Sequence, residues 1–216
     1  MSRILVINPN SSHAVTEGMD QALDPLRMEG GPTIECVTLA EGPPGIETQE
    51  HIDAVVEPLC SLVAQRSSDV GAFVIACYSD PGLQQARSRT SAPVFGIAES
   101  AMLTALSRGR RFGVISILET SIPRHHRYVR TLGLESRCAG DRAIGLGVAE
   151  LTDEDVTLER LVSVGRELRD EDGADVVILG CAGMARYRRR VEEAMGVPVV
   201  EPTYAAVTLA LGAVMQ

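Results

Sequence analysis

Two cysteines follow apolar runs at positions where a ligand could reach them. The stretch VIACYSDPGL, residues 74–83, ends its apolar run at Cys77, and VVILGCAGMA, residues 176–185, repeats the arrangement with Cys181. Each cysteine precedes a predicted helix N-terminus, whose positive end favours negative charge and can lower the pKa of a thiol. One such cysteine is more often an inert core residue, but two at equivalent positions favour catalysis. A thiolate on one side could take a proton and a thiol on the other could return one, which predicts inversion at a carbon acid without a cofactor.

Inversion of this kind passes through an enolate, whose oxygen needs hydrogen-bond donors aimed at it in advance. The candidate donors lie at four junctions between a predicted strand and a predicted helix. Asp80, with Ser79, is expected to cap the helix that begins at Pro81, and a role as partner of the thiol is the alternative. The four junctions comprise Asn8 to Ser11 with Pro9 and Asn10, then Tyr78 and Ser79, then Leu118 to Ser121 with Thr120, and finally Ala182 and Gly183.

The remaining cysteines and the histidines are interpreted as structural or solvated. Cys36, Cys60 and Cys138 lack the strand-end context, and an odd total of five cysteines argues against a disulfide framework. No CxxC pair occurs and no histidine has metal-ligand spacing, so we predict no metal site. His125 and His126 share a predicted helix with arginines, which favours a solvated surface.

Composition excludes several kinds of chemistry and partner. All twenty cationic side chains are arginine, so a lysine Schiff base and a Walker-type phosphate loop are excluded. The formal charge of −9 disfavours nucleic acid, and the basic run RYRRR, residues 186–190, suits a solvated helix face. No long apolar run predicts a membrane span, and the N-terminus MSRILVINPN lacks the pattern of a signal peptide. We therefore expect a cytoplasmic protein.

Apolar strands alternate with helices along the whole chain, which predicts parallel sheets with right-handed crossovers. Strands are expected at RILVI, TIECVTL, AFVIAC, APVFGI, RRFGVISI, ADVVILGC and VPVVEP, and SRCAGD is expected to be irregular or a weak strand. Helices are expected at about residues 12–26, 48–68, 81–89, 121–132, 153–172 and 184–195, from near Glu99, and at the C-terminal end.

Three blocks of the chain recur in the same order, which indicates two similar α/β lobes. ILVINPNSS corresponds to FGVISILETS, FVIACYSDPG to VVILGCAGM, and APVFGIAES to VPVVEPTYA. We predict one lobe at residues 1–100 with a returning helix at 203–216, and a second lobe at residues 101–202. Ligands of such sheets bind beyond the carboxyl ends of the strands. Two lobes related by a pseudo-twofold axis would therefore bring both cysteines to opposite walls of one cleft.

Three motifs then identify the chain as similar to a known family. NPNSS, FVIACYSDPGL with PVFGIAESA, and ILGCAGMA before VPVVEPTYAAV resemble the hydantoin and allantoin racemase branch of the aspartate/glutamate racemase superfamily. The resemblance covers essentially the whole chain. It implies two flavodoxin-like lobes around a central cleft, a cofactor-independent inversion at C5 of a 5-substituted hydantoin or of allantoin, and a homo-oligomer.

The resemblance also implies roles for particular residues. Cys77 and Cys181 match the family's two acid/base cysteines. The substrate carbonyls are expected at Tyr78-Ser79 and Ala182-Gly183, and Asn10 and Thr120 match loop positions that close around the substrate. Two departures border the cleft: Ser79 stands where many hydantoin racemases have an acidic residue, and EPTYAAV replaces a commoner Asp-Pro start.

Two alternatives stay open at this point. The first is another two-cysteine enzyme of the same fold, either an amino-acid racemase such as one for aspartate or glutamate, or a maleate isomerase. A free amino acid would need a site for its ammonium group, for which Asp80 or Glu201 could serve. The second alternative is a two-lobed binding protein for a small molecule, without catalysis. Substrate specificity is expected in the loops, including EGPPGIETQE at residues 41–50.

Overall fold

Two four-stranded parallel sheets form the framework of the protein in a computed structural model, which describes residues 2–215. Met1 and Gln216, which the predicted lobe boundaries include, lie outside the described residues. The first sheet contains β1 (Arg3–Asn8), β2 (Thr33–Thr38), β3 (Ala72–Ile75) and β4 (Val94–Gly96). The second contains β5 (Phe112–Ser116), β6 (Cys138–Ala143), β7 (Val176–Leu179) and β8 (Val199–Val200).

Eight α-helices within the described residues connect and flank these strands. They are α1 (His13–Ala22), α2 (Gln49–Gln65), α3 (Leu83–Arg87), α4 (Ile97–Arg108), α5 (Ile122–Thr131), α6 (Glu154–Asp170), α7 (Arg188–Met195) and α8 (Pro202–Val214). None of the helices in residues 2–215 is long and apolar enough to cross a membrane.

The two sheets have the same strand order, β2-β1-β3-β4 in the first and β6-β5-β7-β8 in the second. This order confirms the prediction of two similar lobes with parallel sheets. The central strands are mostly apolar and buried on both faces, as parallel strands between layers of helices must be. The segment SRCAGD, predicted as irregular or a weak strand, contributes to the six-residue β6, because a register shift near Phe112 lets it pair along β5.

Some helix boundaries differ from the prediction. The helix expected from Pro81 starts two residues later at Leu83, because Gly82 adopts a left-handed φ of 66° at the N-cap. The helix expected over 184–195 is a 3-10 turn over Ala182–Tyr187, followed by α7. Both differences occur directly after the cysteines, where the chain makes tight turns before it becomes helical.

Helices α4 and α8 join the two sheets. Helix α8 packs against three strands of the first sheet, β1, β3 and β4, and also against α4. Buried residues of α4 share a core with Val114 of β5 and Ile178 of β7 in the second sheet. The lobe boundaries near residues 100 and 200 stay a prediction.

A loop of the first lobe also reaches the second. In the segment 41–47, the Glu47 carboxylate accepts a hydrogen bond from the backbone N–H of Val148 at 2.9 Å. Val148 begins a 3-10 turn, so the carboxylate satisfies one of the free N–H groups there. Ile46 is buried beside this contact. The loop expected to carry specificity is therefore fixed to both lobes at one end of the cleft.

Candidate active site

A cleft between the two sheets brings Cys77 and Cys181 together. Its empty volume is about 430 Å³, including the opening to solvent. Among the predicted site residues, those that line it are Asn10, Cys77, Tyr78, Ser79, Cys181, Ala182 and Gly183, while Pro9, Asp80 and Thr120 do not. Its other lining residues are Val15, Ile46, Ala76, Ile117, Ser121, Arg124, His125, Val148 and Gly180.

The two cysteines occupy equivalent positions in the two sheets. Cys77 comes two residues after Ile75, the end of β3, and Cys181 comes two residues after Leu179, the end of β7. Strands β3 and β7 hold the same place in their sheets. Both side chains are partly exposed. The geometry that the internal repeat predicted, with one thiol from each lobe beside a shared cavity, is therefore present.

A strained turn holds Cys77 in place. The N–H of Asp80 donates to the carbonyl of Cys77 at 2.9 Å, and Asp80 adopts a left-handed φ of 43°. Only a residue that is well anchored keeps such a conformation, although aspartate tolerates it better than most. The anchor is the Asp80 carboxylate, which accepts hydrogen bonds at 2.9 Å from the N–H groups of Ala98 and Glu99 and from the Tyr128 hydroxyl.

The prediction that Asp80 caps the helix after Pro81 is therefore wrong. Its side chain turns away from that helix and caps α4, the helix that follows β4. Gly96 makes this approach feasible, because a Cβ atom there would lie 2.2 Å from Cγ of Asp80. Burial raises the pKa of Asp80 to about 7, although the three hydrogen bonds favour its ionised form and act in the opposite direction. Asp80 is thus a positioning residue for the loop that carries Cys77.

The turn after Cys181 is braced differently, by close backbone contacts. The N–H of Gly180 donates to the carbonyl of Ile115 at 2.8 Å, and a Cβ atom at Gly180 would lie 2.6 Å from that oxygen. The N–H of Met184 donates to the carbonyl of Cys181 at 3.1 Å, which begins the 3-10 turn. Helix α1 of the first lobe packs against this turn. Both lobes therefore fix the position of Cys181.

Both thiols are weak acids. Burial raises the pKa of Cys77 to about 12 and the pKa of Cys181 to about 11. Hydrogen bonds from the backbone N–H groups of Ser79 and Gly183 act in the opposite direction but do not outweigh burial. The expectation of a thiol pKa lowered by a helix N-terminus is wrong here, because the segments after both cysteines are turns. At neutral pH each sulfur carries its proton.

These pKa shifts predict how the thiols react with an alkylating agent. Because only the thiolate is nucleophilic, iodoacetamide modification of Cys77 and Cys181 should rise about tenfold per pH unit from about pH 7 to about pH 10 without a plateau. Mass spectrometry of the two cysteine peptides measures each rate. An exposed thiol with an ordinary pKa would level off above about pH 9. A plateau near pH 8 for either residue would contradict the raised pKa.

The N-terminal loop presents Asn10 through a network of amides. The Asn8 side chain donates to Oδ1 of Asn10 at 2.9 Å, and the N–H of Ser12 donates to the same oxygen at 2.9 Å. The Oδ1 atom is thereby fully used, and the amide nitrogen of Asn10 is left as the donor for a ligand. Pro9 does not line the cleft. Its carbonyl oxygen packs closely against Gly42, where a Cβ atom would lie only 2.1 Å away. Pro9 therefore shapes the loop.

Thr120 is exposed and does not reach the cleft. Its neighbour Ser121 is buried and lines the cavity in its place. The Thr120 carbonyl instead accepts a hydrogen bond from Nη1 of Arg124 at 2.7 Å. The LETS junction is a 3-10 turn, which rotates the side chain of Thr120 outward.

His125 is buried, so the prediction of a solvated surface for this residue is wrong. Its Nδ1 atom lies 2.9 Å from Oδ2 of Asp141 and 3.0 Å from Oγ of Ser116. The ring packs edge-on against Tyr78, with 5.1 Å between the ring centroids. His126, in contrast, is exposed as expected. The sequence signal for His125 was weak, because its partners Ser116 and Asp141 lie on two strands, β5 and β6.

Within residues 2–215, no group of three or more histidine, cysteine or acidic side chains is arranged to hold a metal ion. The donors that line the cleft are therefore thiols, amides, hydroxyls, a histidine and an arginine. This set suits an uncharged or anionic organic ligand.

Comparison with known proteins places this site in a family. A family model described as Asp/Glu/Hydantoin racemase matches residues 4–210. The chain belongs to this family. It is 37% identical over 211 residues to a hydantoin racemase of Paenarthrobacter aurescens, covering 96% of this chain and 89% of that protein.

Solved structures of the family agree with this assignment. Allantoin racemase from Klebsiella pneumoniae matches with a TM-score of 0.94 at 31% identity, covering 100% of this chain and 88% of that one. Allantoin racemase from Pseudomonas fluorescens matches with a TM-score of 0.93 at 30% identity, covering 99% and 91%. The protein is therefore an isomerase of the racemase class, and the family resemblance of its motifs is confirmed.

Proposed function

We propose that the protein is a cofactor-independent racemase that inverts C5 of a 5-substituted hydantoin or of allantoin. The observation that carries the proposal is the pair of cysteines, one from each lobe, beside a single small cleft. Cys77 and Cys181 line the same cleft, and a negative charge on Cys181 would raise the pKa of Cys77. The hydantoin and allantoin racemases among its relatives support this substrate class.

The reaction proceeds by transfer of one proton at each face of C5. The thiolate of one cysteine removes the C5 proton, and the electron pair of the broken C–H bond moves onto the adjacent carbonyl oxygen as an enolate. The thiol of the other cysteine then gives its proton to the opposite face, and its sulfur is left as the thiolate. No net proton or electron is gained or lost. Because each thiol has a raised pKa, the thiolate is a strong base that is formed only in a small fraction of molecules.

The two carboxylates that could have served an ammonium group are engaged elsewhere, which supports a ring substrate over a free amino acid. Asp80 caps α4, and Glu201 accepts hydrogen bonds from the N–H groups of Thr203 and Tyr204 at the start of α8. Neither lines the cleft. An ammonium group would find no carboxylate among the lining residues, whereas a hydantoin ring is uncharged and needs none. The loss of the acidic residue at position 79 is consistent with this reading.

Incubation in heavy water tests the proposal directly. Enantiopure 5-alkylhydantoin, enantiopure allantoin, enantiopure aspartate and maleate are each incubated with the protein, and polarimetry is combined with mass spectrometry. We expect optical rotation to fall to zero for a hydantoin or for allantoin, with one deuterium incorporated at the stereocentre, and no change for aspartate. Racemisation of aspartate alone would favour the amino-acid racemase, and conversion of maleate would favour the isomerase of that acid. A homo-oligomeric state and a cytoplasmic location stay predictions.

A further inference from the structure

Arg124 is the one arginine among the described residues that line the cleft, which include no aspartate or glutamate. No ion pair within 4.0 Å joins it to a carboxylate of residues 2–215, although many other arginines in the chain are paired in this way. Its charge lowers the pKa of Cys77, which places the guanidinium near the reacting sulfur. The cleft therefore carries a positive charge that the protein itself leaves uncompensated.

Most of the donor capacity of Arg124 is unused. Nη1 donates to the Thr120 carbonyl at 2.7 Å and Nη2 donates to Oγ of Ser121 at 3.1 Å. Nε is buried and has no hydrogen-bond partner. A guanidinium has five N–H donors, so about three are left for a ligand. A buried N–H without an acceptor is unfavourable, and a bound oxygen atom that accepts from it would remove that cost.

The position of Arg124 also opposes helix stability. It lies in the first turn of α5, where the helix dipole is positive and where this helix has no acidic residue. Arg127, one turn later, adds a like charge that acts against it. Cations are unfavourable at a helix N-terminus, because the dipole there is positive. A residue that violates such a local preference beside a reactive group is expected to have a functional role.

We propose that Arg124 is a further catalytic residue, whose guanidinium donates to the carbonyl oxygen that becomes negative when C5 is deprotonated. The proposal rests on the two-cysteine racemisation proposed above. As the C–H electron pair moves onto the carbonyl oxygen, the N–H donors of Arg124 meet a full negative charge in place of a carbonyl dipole. When the second thiol protonates C5, the electron pair returns to carbon and the oxygen becomes neutral again.

An enolate fits this site better than a permanently anionic substituent does. The substrate ring is uncharged, so the interaction with a fixed cation strengthens as the reaction proceeds. Only interactions that are stronger in the transition state than in the ground state accelerate the chemical step. A carboxylate on the C5 substituent would instead bind equally in both states, which would lower KM without raising kcat. The two roles are therefore separable by kinetics.

The test compares Arg124→Gln, Arg124→Lys and the control Arg127→Gln, in which an exposed arginine of the same helix is changed. With 5-ethylhydantoin we expect kcat to fall by about 10²–10³-fold in Arg124→Gln, with KM changed by less than about threefold. Arg124→Lys keeps the charge but loses the fork of donors, so its loss should be smaller, about tenfold. Arg127→Gln should stay within about twofold of the wild type.

A second measurement distinguishes loss of the guanidinium group from loss of folding. Added ethylguanidinium should restore part of kcat in Arg124→Ala, whereas ethylammonium should restore less. The variants are also assayed with hydantoin-5-acetic acid, whose carboxylate is ionised at neutral pH. A loss confined to KM for that acid, or a fall in kcat matched by an equal fall in the alkylation rate of Cys77, would overturn the proposal. Racemisation by Arg124→Gln at the rate of the wild type would also overturn the proposal, while leaving the two-cysteine function intact.

Discussion

Replacement of either Cys77 or Cys181 by serine is expected to lower racemisation of the hydantoin substrate by at least about 10³-fold. A serine hydroxyl is a far weaker acid than a thiol, so it neither removes the C5 proton nor returns one at a useful rate. Each single variant retains one thiol, which still serves one face of the ring. Exchange of the C5 proton for deuterium should therefore persist for one enantiomer in Cys77→Ser and for the opposite enantiomer in Cys181→Ser.

The measurement combines polarimetry for inversion with mass spectrometry for deuterium incorporation from each pure enantiomer. Cys138→Ser is the matched control. Burial raises the pKa of this thiol to about 11, as it does for Cys181, but Cys138 lies on β6 and does not line the cleft. It should keep activity within about twofold. Exchange of the same enantiomer by both single variants, or inversion by either at the wild-type rate, would contradict a mechanism with one thiol at each face.

The fold was predictable because its signals are local and repeated. Apolar runs such as ILVIN and VVILG read as strands buried on both faces, and the order of strands and helices then leaves parallel sheets as the natural arrangement. The recurrence of three blocks predicted two lobes. The edge strand β6 was underestimated, since its side chains are small or charged and its pairing with β5 depends on a register shift that no local pattern reveals.

The site was predictable only where it follows from strand position. Cys77, Ser79, Cys181 and Gly183 directly follow the ends of β3 and β7, so the topology alone brings them to one cleft. His125 was assigned to a solvated helix and Arg124 was not singled out, because their surroundings come from distant segments. His125 is buried against Asp141, which is 16 residues away, and nothing in the local pattern marks that carboxylate as its partner.

Asp80 shows the same limit for a supporting residue. The sequence SDPG is typical of a residue that caps its own helix, and the structure directs the carboxylate to a helix 18 residues further along the chain. That choice depends on Gly96, the last residue of β4, which leaves space for the side chain. A glycine at the end of a strand is ordinary in sequence, and only the tertiary contact reveals that a larger residue is excluded there.

Gly96→Ala is accordingly expected to destabilise the protein and to displace Cys77. The added Cβ atom would lie 2.2 Å from Cγ of Asp80 and 2.3 Å from Oδ2, so the carboxylate must leave the N-terminus of α4. The N–H groups of Ala98 and Glu99 then lose their acceptor, and the left-handed turn at Asp80 loses its anchor. Overpacking and a lost buried hydrogen-bond partner together cost about 2–4 kcal/mol in the free energy of unfolding.

Activity should fall further than stability alone explains, because the two thiols must stay aligned across one carbon atom. Misplacement by about 1 Å costs about 10²-fold in rate, so we expect kcat of the folded Gly96→Ala variant to fall by about 10–100-fold. Urea unfolding and racemisation are measured together with Gly212→Ala, in which the new Cβ atom on α8 meets nothing within 4 Å. That control should be neutral or more stable by up to about 1 kcal/mol. If Gly96→Ala matched it in both stability and rate, the carboxylate of Asp80 would not be what holds Cys77 at the cleft.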